Sequence, residues 1–441
     1  MKTRLVVAAL ILLAIANAGV AAMSPFDIPP YGQPELLTQD IELEAPTAMA
    51  FDSKNRPYLL NNRNPESFGL LRTVRNGEWV TVSLRSVLGD DEIPEKRKMH
   101  ALGELVIDDS DALYATIGNT LIYSPDLGKT LKAYTCRGTL ELRSGPNSLS
   151  APPAISIMAN RKYVDRGPER EPQMAWWATR SEFSILLPIK DGEELRPGAP
   201  IPISDNSGAA GSGGHSGGTS FAVTSKGKTH VVWNELPDDV RTGGNLIHIA
   251  TVDHATRTVV AKKFLVKAGG AKNDNHTRPT ITMDSRGYLH VLSGSHNEAF
   301  YYLRSLVPND ITSGWTEPVQ LTDKQCYASI VCDERDSLHT VYREWLPRPS
   351  LGYASTFTSA FSAEADWSPS TTLVNGRQFK YGIFYHRLFI DRASTLYLSF
   401  TFLEFENGGD GYPEALVVST DYGRTWQLAR KDDFISKIEG Q

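Results

Sequence analysis

The chain has 441 residues, 45 Lys and Arg against 51 Asp and Glu, a formal net charge of -6 and 41% hydrophobic residues. It is long enough to bury a large core, and without a basic cluster it has no electrostatic reason to bind nucleic acid or an anionic membrane. Three cysteines, Cys136, Cys326 and Cys332, are too few to frame the fold; one bridge with a free thiol, or three buried thiols, both suit them.

Residues 1–22 carry Lys2 and Arg4, an apolar run (LVVAALILLAIA), and small residues ending Ala16-Asn17-Ala18 or Val20-Ala21-Ala22. This layout predicts a cleavable secretory signal and a secreted or periplasmic protein from residue 23 onward. The run is short for a bilayer span and no other stretch reaches about 18 apolar residues, so no membrane anchoring is expected. No cysteine stands near the cleavage point, which argues against a lipid anchor.

From about residue 45 a hairpin grammar recurs, an apolar strand, an Asp-led or Ser/Gly-led turn and a second apolar strand. It reads MAFDSKNRPYLL (49–60), LVIDDSDALYAT (105–116), FAVTSKGKTHVVW (221–233), TITMDSRGYLHVL (280–292), IVCDERDSLHTVY (330–342) and LFIDRASTLYLSF (388–400). A weaker copy, ISIMANRKY from Ile155 with MAWWA as its second strand, fills the gap after the second. The turns then start at 52, 108, 158, 224, 284, 333 and 391. That period predicts an all-β, seven-bladed β-propeller forming a single domain over residues 23–441.

Between the repeats, Arg161 to Pro172 reads as a solvated insertion, and Asp205 to Thr219 (DNSGAAGSGGHSGGT) as a flexible connector or lid that lacks the Lys of a phosphate loop. Residues 405–414 read as an exposed loop. Ser419 to Trp426 fits the Asp-box pattern S-x-D-x-G-x-[ST]-W, with a partial copy from Ser124 to Thr130. The Asp of such a turn accepts backbone hydrogen bonds, so its role is structural.

Chemistry belongs to the open ends of the hairpins, which converge on one face. Antiparallel pairing sets His276 opposite Ser295 or His296, Tyr327 opposite Tyr342 or Arg343, and Tyr385 and His386 opposite residues 399–401. His100 meets Asn119, and His215 meets Asn234 or Glu235. A lone histidine at a strand end is first a hydrogen-bonded rim residue, the reading for His100, His215 and His386, although the glycine-rich connector also carries His215 into the face as a substrate contact. His276 and His296, followed one repeat later by Tyr327 and Arg343, place four polar groups at one pocket. His230, His290 and His339 sit inside second strands and read as packing, and so do Trp176, Trp177 and Trp233; Trp345 is close enough to Arg343 to line a groove.

The pairs His276-x19-His296 and Tyr327-x15-Arg343 resemble the histidine pair, tyrosine and arginine of the seven-bladed propeller polysaccharide lyases, the ulvan lyases and rhamnose-glucuronate lyases. In those lyases the histidine hairpin lies in an early blade, whereas here it opens the fifth repeat. The resemblance implies β-elimination next to a uronic acid in an anionic polysaccharide. Arg343 would offset the carboxylate charge, Tyr327 would act as base and acid or His276 as base with Tyr327 as acid, and His296, Tyr385 and His215 would bind or orient substrate. No cofactor is required; Asp274 and Asp284 could help hold a structural cation, Ca or Zn, which the sequence does not specify. The Asp box and Arg278-Pro279-Thr280-Ile281 point to a sialidase-like hydrolase instead, and a non-catalytic carbohydrate-binding propeller is the third reading. The oligomeric state does not follow from the sequence.

Overall fold

The computed structural model describes residues 25–34, 45–89, 93, 95, 104–142, 152–163, 179–208, 220–239, 243–269, 277–345, 347–356, 366–377, 382–406 and 412–434. The expected signal segment, His100, Trp176, Trp177, His215, Asp274 and His276 lie outside them.

The described strands form an all-β propeller arrangement. Among them are five blades, sheets of four to six strands that each begin with one of the Asp-led hairpins. The first runs Ala48–Phe51, Pro57–Leu60, Leu70–Arg75, Glu78–Ser83, and the next Glu104–Ile107, Leu113–Ile117, Thr120–Ser124, Lys132–Thr135. A third begins with Thr280–Met283 and Leu289–Leu292, a fourth with Gln325–Cys332 and Leu338–Glu344, and the last with Ile383–Ile390 and Leu396–Phe402. The innermost strands AMAF, ELVI and TITM are buried at every position, because they face neighbours on both sides. Apolar side chains of adjacent blades fill the gaps between them. Val331, Val341 and Leu351 pack against Leu388, Phe400 and Trp426, and Met49, Phe51 and Leu59 of the first blade pack against Tyr397, Leu416 and Val418 of the last.

The expectation of seven separate blades is corrected here. The two remaining repeats merge into one eight-stranded sheet, Thr139–Glu141 through Ile201–Ser207 joined to Ala222–Ser225 through Thr258–Ala268 by the pair Ser207 and Glu235. These are the repeats without an Asp at the turn. In the weaker of them the expected turn at residue 158 is no turn. Residues Ile155–Tyr163 form one strand, and the Asn-Arg there is a β-bulge, with Asn160 at φ 49°. The partner strand is Thr179–Leu186 rather than MAWWA, which lies outside the described residues.

The Asp turns are cross-linked by one repeated device. Asp52, Asp108, Asp284, Asp333 and Asp391 each accept, through Oδ1, the backbone N–H groups two and four residues on, at 2.7–3.1 Å. In Asp108, Asp391 and Asp333 the second carboxylate oxygen accepts from the residue six positions on, the Tyr114 hydroxyl at 3.0 Å, the Tyr397 hydroxyl at 3.2 Å and His339 Nε2 at 3.2 Å, whereas in Asp52 it accepts from Arg56 Nε at 2.6 Å. Turns then tie to turns. Ser53 N–H donates to Asp111, Ser285 N–H to Asp336, Glu334 N–H to the Ser394 hydroxyl, and Arg392 N–H to Asn55 Oδ1, all within 2.7–2.9 Å. The last link joins the final blade to the first and closes the ring. All four receiving residues hold φ between 58° and 62°, a left-handed backbone that Asn and Asp tolerate best.

The thiols of Cys136, Cys326 and Cys332 are unpaired with one another. Strand Phe26–Asp27 runs parallel to Thr371–Asn375 and extends the Asp333 blade outward.

Candidate functional site

At the open end of the Asp333 hairpin, Cys326 pairs with Arg343 and Ser329 with Val341, so Tyr327 and Ala328 bulge out of the ladder. Tyr327 holds φ 60° and is 6% exposed. The expected opposition of Tyr327 to Tyr342 or Arg343 is corrected here: Arg343 pairs with Cys326, and Tyr327 stands outside the ladder because the bulge takes up two residues against one. The Arg343 guanidinium lies 4.6 Å over the Tyr327 ring and 4.5 Å over the Trp345 ring, sandwiched between two aromatic faces. Arg343 is fully buried, so its charge reaches the face through the Tyr327 ring rather than at the surface.

His296 does not stay with its own hairpin. Described pairing there ends at Thr280 with Leu292, and Gly294 packs on the Arg278 backbone so closely that a Cβ would lie 1.9 Å from its carbonyl oxygen. The chain then crosses to the next blade, where His296–Glu298 pairs with Gln325 and Cys326. This crossing brings the His296 ring 5.6 Å from the Tyr327 ring. The expected partnership of His296 with His276 falls outside the described residues; the observed partner is Tyr327.

Cys326 holds this corner together. Its Sγ accepts the Trp345 indole N–H at 2.9 Å and the Asn297 backbone N–H at 3.2 Å, and its thiol donates to Asn297 Oδ1 at 3.2 Å. Burial pushes the thiol pKa up, against the pull of Arg343 and Trp345, which keeps the sulfur protonated and inert as a nucleophile.

One blade further, the same construction recurs. Phe384 pairs with Thr401 and Arg387 with Ser399, and Tyr385 and His386 bulge between them, with Tyr385 at φ 53°. The Arg63 guanidinium lies 5.7 Å from the Tyr385 ring centroid. Arg63 also pairs with Glu414 at 3.3 Å, and Glu414 accepts from Asn61 Nδ2 at 2.6 Å. His386, read from sequence as a rim residue, is fully buried; burial and the nearby Arg343 charge push its pKa down to about 3, so it is uncharged near neutral pH.

Two more ion pairs span the convergent face, Arg387 with Glu104 at 3.0 Å and Arg278 with Glu141 at 2.9 Å. Arg278 and Glu141 line a cavity of about 50 Å³ with Trp233, Phe183, Phe221 and Asn234. The histidines expected to be packing are buried and hydrogen-bonded: His230 to Thr251, His290 to Tyr302 and His339 to Tyr353. Sequence reasoning missed Arg63, Glu414, Arg387, Glu104 and Cys326. Their partners lie hundreds of positions away or on the next strand over, although the Tyr six residues before the Asp turn, at 327 and again at 385, was a signal in plain view. Among the described residues no three His, Cys, Asp or Glu side chains converge to hold a metal ion.

Residues 247–437 match the family described as BNR repeat-containing family member. An ulvan lyase from Alteromonas sp. (strain LOR) is 25% identical over 141 residues, which are 26% of this chain and 29% of that protein, so the match spans less than a third of the relative. Of solved structures, a polysaccharide lyase described as an ulvan lyase of a new family, bound to GlcA(1-4)Rha3S, is similar with a TM-score of 0.37 and 17% identity over 51% of this chain and 56% of that one. A protein of unknown function from Dyadobacter fermentans gives a TM-score of 0.43 and 11% identity over 88% and 95% of the two chains.

Proposed function

We propose that this protein is a secreted polysaccharide lyase that cleaves next to a uronic acid by β-elimination, with ulvan-type glucuronate polymers as its substrate class. The observation that carries this reading is Tyr327, set in a left-handed bulge between the His296 imidazole at 5.6 Å and the Arg343 guanidinium at 4.6 Å. Its support from outside the chain is the 25% identity to an ulvan lyase. We further propose that residues 23–441 form one ring, in which the eight-stranded sheet supplies two of seven blade equivalents, behind a cleaved export signal.

Removing H5 of a uronate builds negative charge beside a carboxylate, so the site must supply positive charge and a base on one side of the ring. Tyr327 takes H5 as phenolate and returns the proton to the departing O4. Arg343, beneath its ring, stabilises the phenolate and the developing enolate without touching the sugar, in place of the direct offset of the carboxylate charge that the resemblance implies. His296 faces the uronate carboxylate, Tyr385 contacts the adjoining sugar, and His276 and His215 remain candidates for further contacts to the substrate.

The test is incubation of the mature protein with a panel of uronate polysaccharides, ulvan first, while following the ultraviolet absorbance of an unsaturated uronate. A rise that disappears in Tyr327→Phe, with the variant still folded, supports the lyase. Reducing ends without absorbance make it a hydrolase, and binding without turnover makes it a carbohydrate-binding propeller; either sinks the proposal.

A further inference from the structure

The bulges that carry Tyr327 and Tyr385 are each held by a side chain from the next blade around the ring. His386 Nε2–H donates to the Tyr327 carbonyl at 2.8 Å, and Arg63 Nη2 donates to the Tyr385 carbonyl at 3.4 Å. His386 stands beside Tyr385 in the second bulge, so the two clamps are in series: Arg63 holds the bulge at 385–386, and that bulge supplies the group that holds Tyr327. A tyrosine at positive φ is a sparsely populated conformation that persists only when its surroundings fix it.

We propose that His386 and Arg63 are positioning residues that act in series through the backbone of Tyr385 and Tyr327, so that the ring-closing first blade sets the aim of the reacting phenol. The inference rests on the lyase reading for the role of Tyr327, but the clamp itself stands on geometry alone. Its groups suit the task. His386 is fully buried and uncharged near neutral pH, and a carbonyl can only accept, so the Nε2–H tautomer is fixed and the clamp does not open as pH varies through the working range. Arg63 is fully buried as well; its guanidinium is anchored by Glu414, which Asn61 Nδ2 holds in turn, and its backbone N–H donates to Asn61 Oδ1, which leaves its reach to Tyr385 little freedom. Placement matters here because an ångström of error at a reacting atom costs roughly 100-fold in rate.

The variants that test this are His386→Ala, which removes the donor, and His386→Gln, whose amide reaches the Nε2 position; Arg63→Ala and Arg63→Lys do the same for the second clamp. Amide exchange over residues 325–329 reads the clamp without any need for turnover. The expected result is faster exchange there in His386→Ala and, more weakly, in Arg63→Ala, with His386→Gln close to the parent protein. On a cleaved polymer, His386→Ala should lower kcat by roughly 10- to 100-fold with little change in KM, and His386→Gln should restore most of it with an unaltered pH profile. Unchanged exchange at 325–329 in His386→Ala overturns the clamp. A His386→Gln variant as inactive as Tyr327→Phe, with one limb of the pH profile gone, overturns it too, because it would make His386 a proton donor or acceptor. If no polymer is cleaved, the exchange result still decides the clamp while the lyase reading falls separately.

Discussion

At the turn end of the hairpins, five Asp residues repeat one local pattern of bonds, each within six positions of its own carboxylate. At the open end, Tyr327 and Tyr385 sit in positive-φ bulges held by residues of other blades. The turn end is redundant and locally determined; the open end holds its tyrosines at positive φ through contacts that come from other blades. The difference teaches where the proposed chemistry would sit: on the face whose geometry is imposed by other blades rather than by the neighbouring sequence.

The largest expected effect falls on the open end. Tyr327→Phe should lower the elimination rate by about 100- to 10,000-fold while the melting temperature hardly moves, as read by ultraviolet absorbance and calorimetry. Equal losses of activity and stability would erase the contrast between the two ends.

Asp333→Ala is the converse. It strips the acceptor from Arg335 N–H, Ser337 N–H and His339 Nε2 and should cost about 3 kcal/mol in urea unfolding while kcat of the folded fraction stays within about twofold.

Acid should attack both ends through buried neutral histidines. Burial lowers the pKa of His230 to about 4 and that of His386 to about 3, and His290 is lowered in the same way, from an ordinary 6.5. The unfolded chain therefore binds protons that the folded one refuses, so stability is full above pH 6.5 and falls as pH drops toward the folded values. Each histidine contributes up to about 1.4 kcal/mol per pH unit to that slope, and His386→Gln should flatten it by one such share in unfolding measured from pH 7 to pH 4.

The smallest effect belongs to the Asp box. Asp421 accepts the Thr425 N–H at 2.8 Å and its hydroxyl at 2.7 Å on an exposed turn, so Asp421→Ala should cost about 1 kcal/mol and leave turnover untouched.

The turn end was legible in the sequence because its information is local: an Asp, a turn and a Tyr or His six residues on recur at readable spacing, as in Asp108 with Tyr114 and Asp333 with His339. Pairing across the hairpins follows the same spacing near the turns, but at the open end the bulge at Tyr327 and Ala328 sets Cys326, not Tyr327, opposite Arg343. The open end was only partly legible. Tyr327, Arg343 and His296 do meet, but the crossing of His296 to the next blade, the burial of Arg343 and the clamps from Arg63 and His386 depend on tertiary neighbours that no period announces. The eight-stranded sheet was misread for a related reason. Asn160-Arg161 has the composition of a turn, yet a bulge uses the same residues inside a continuous strand.

The link between Asn55 and Asp391 joins residues 336 positions apart. A contact of that span pays its full loop-closure entropy before it returns any stability, so the seam must be among the last parts of the molecule to form. Because Arg63 reaches Tyr385 across this same seam, a chain still emerging from the ribosome can complete most of its blades and have no aimed phenol. The onset of turnover in a refolding experiment should then trail the recovery of strand signal, and activity would time the moment at which the two ends of the chain meet.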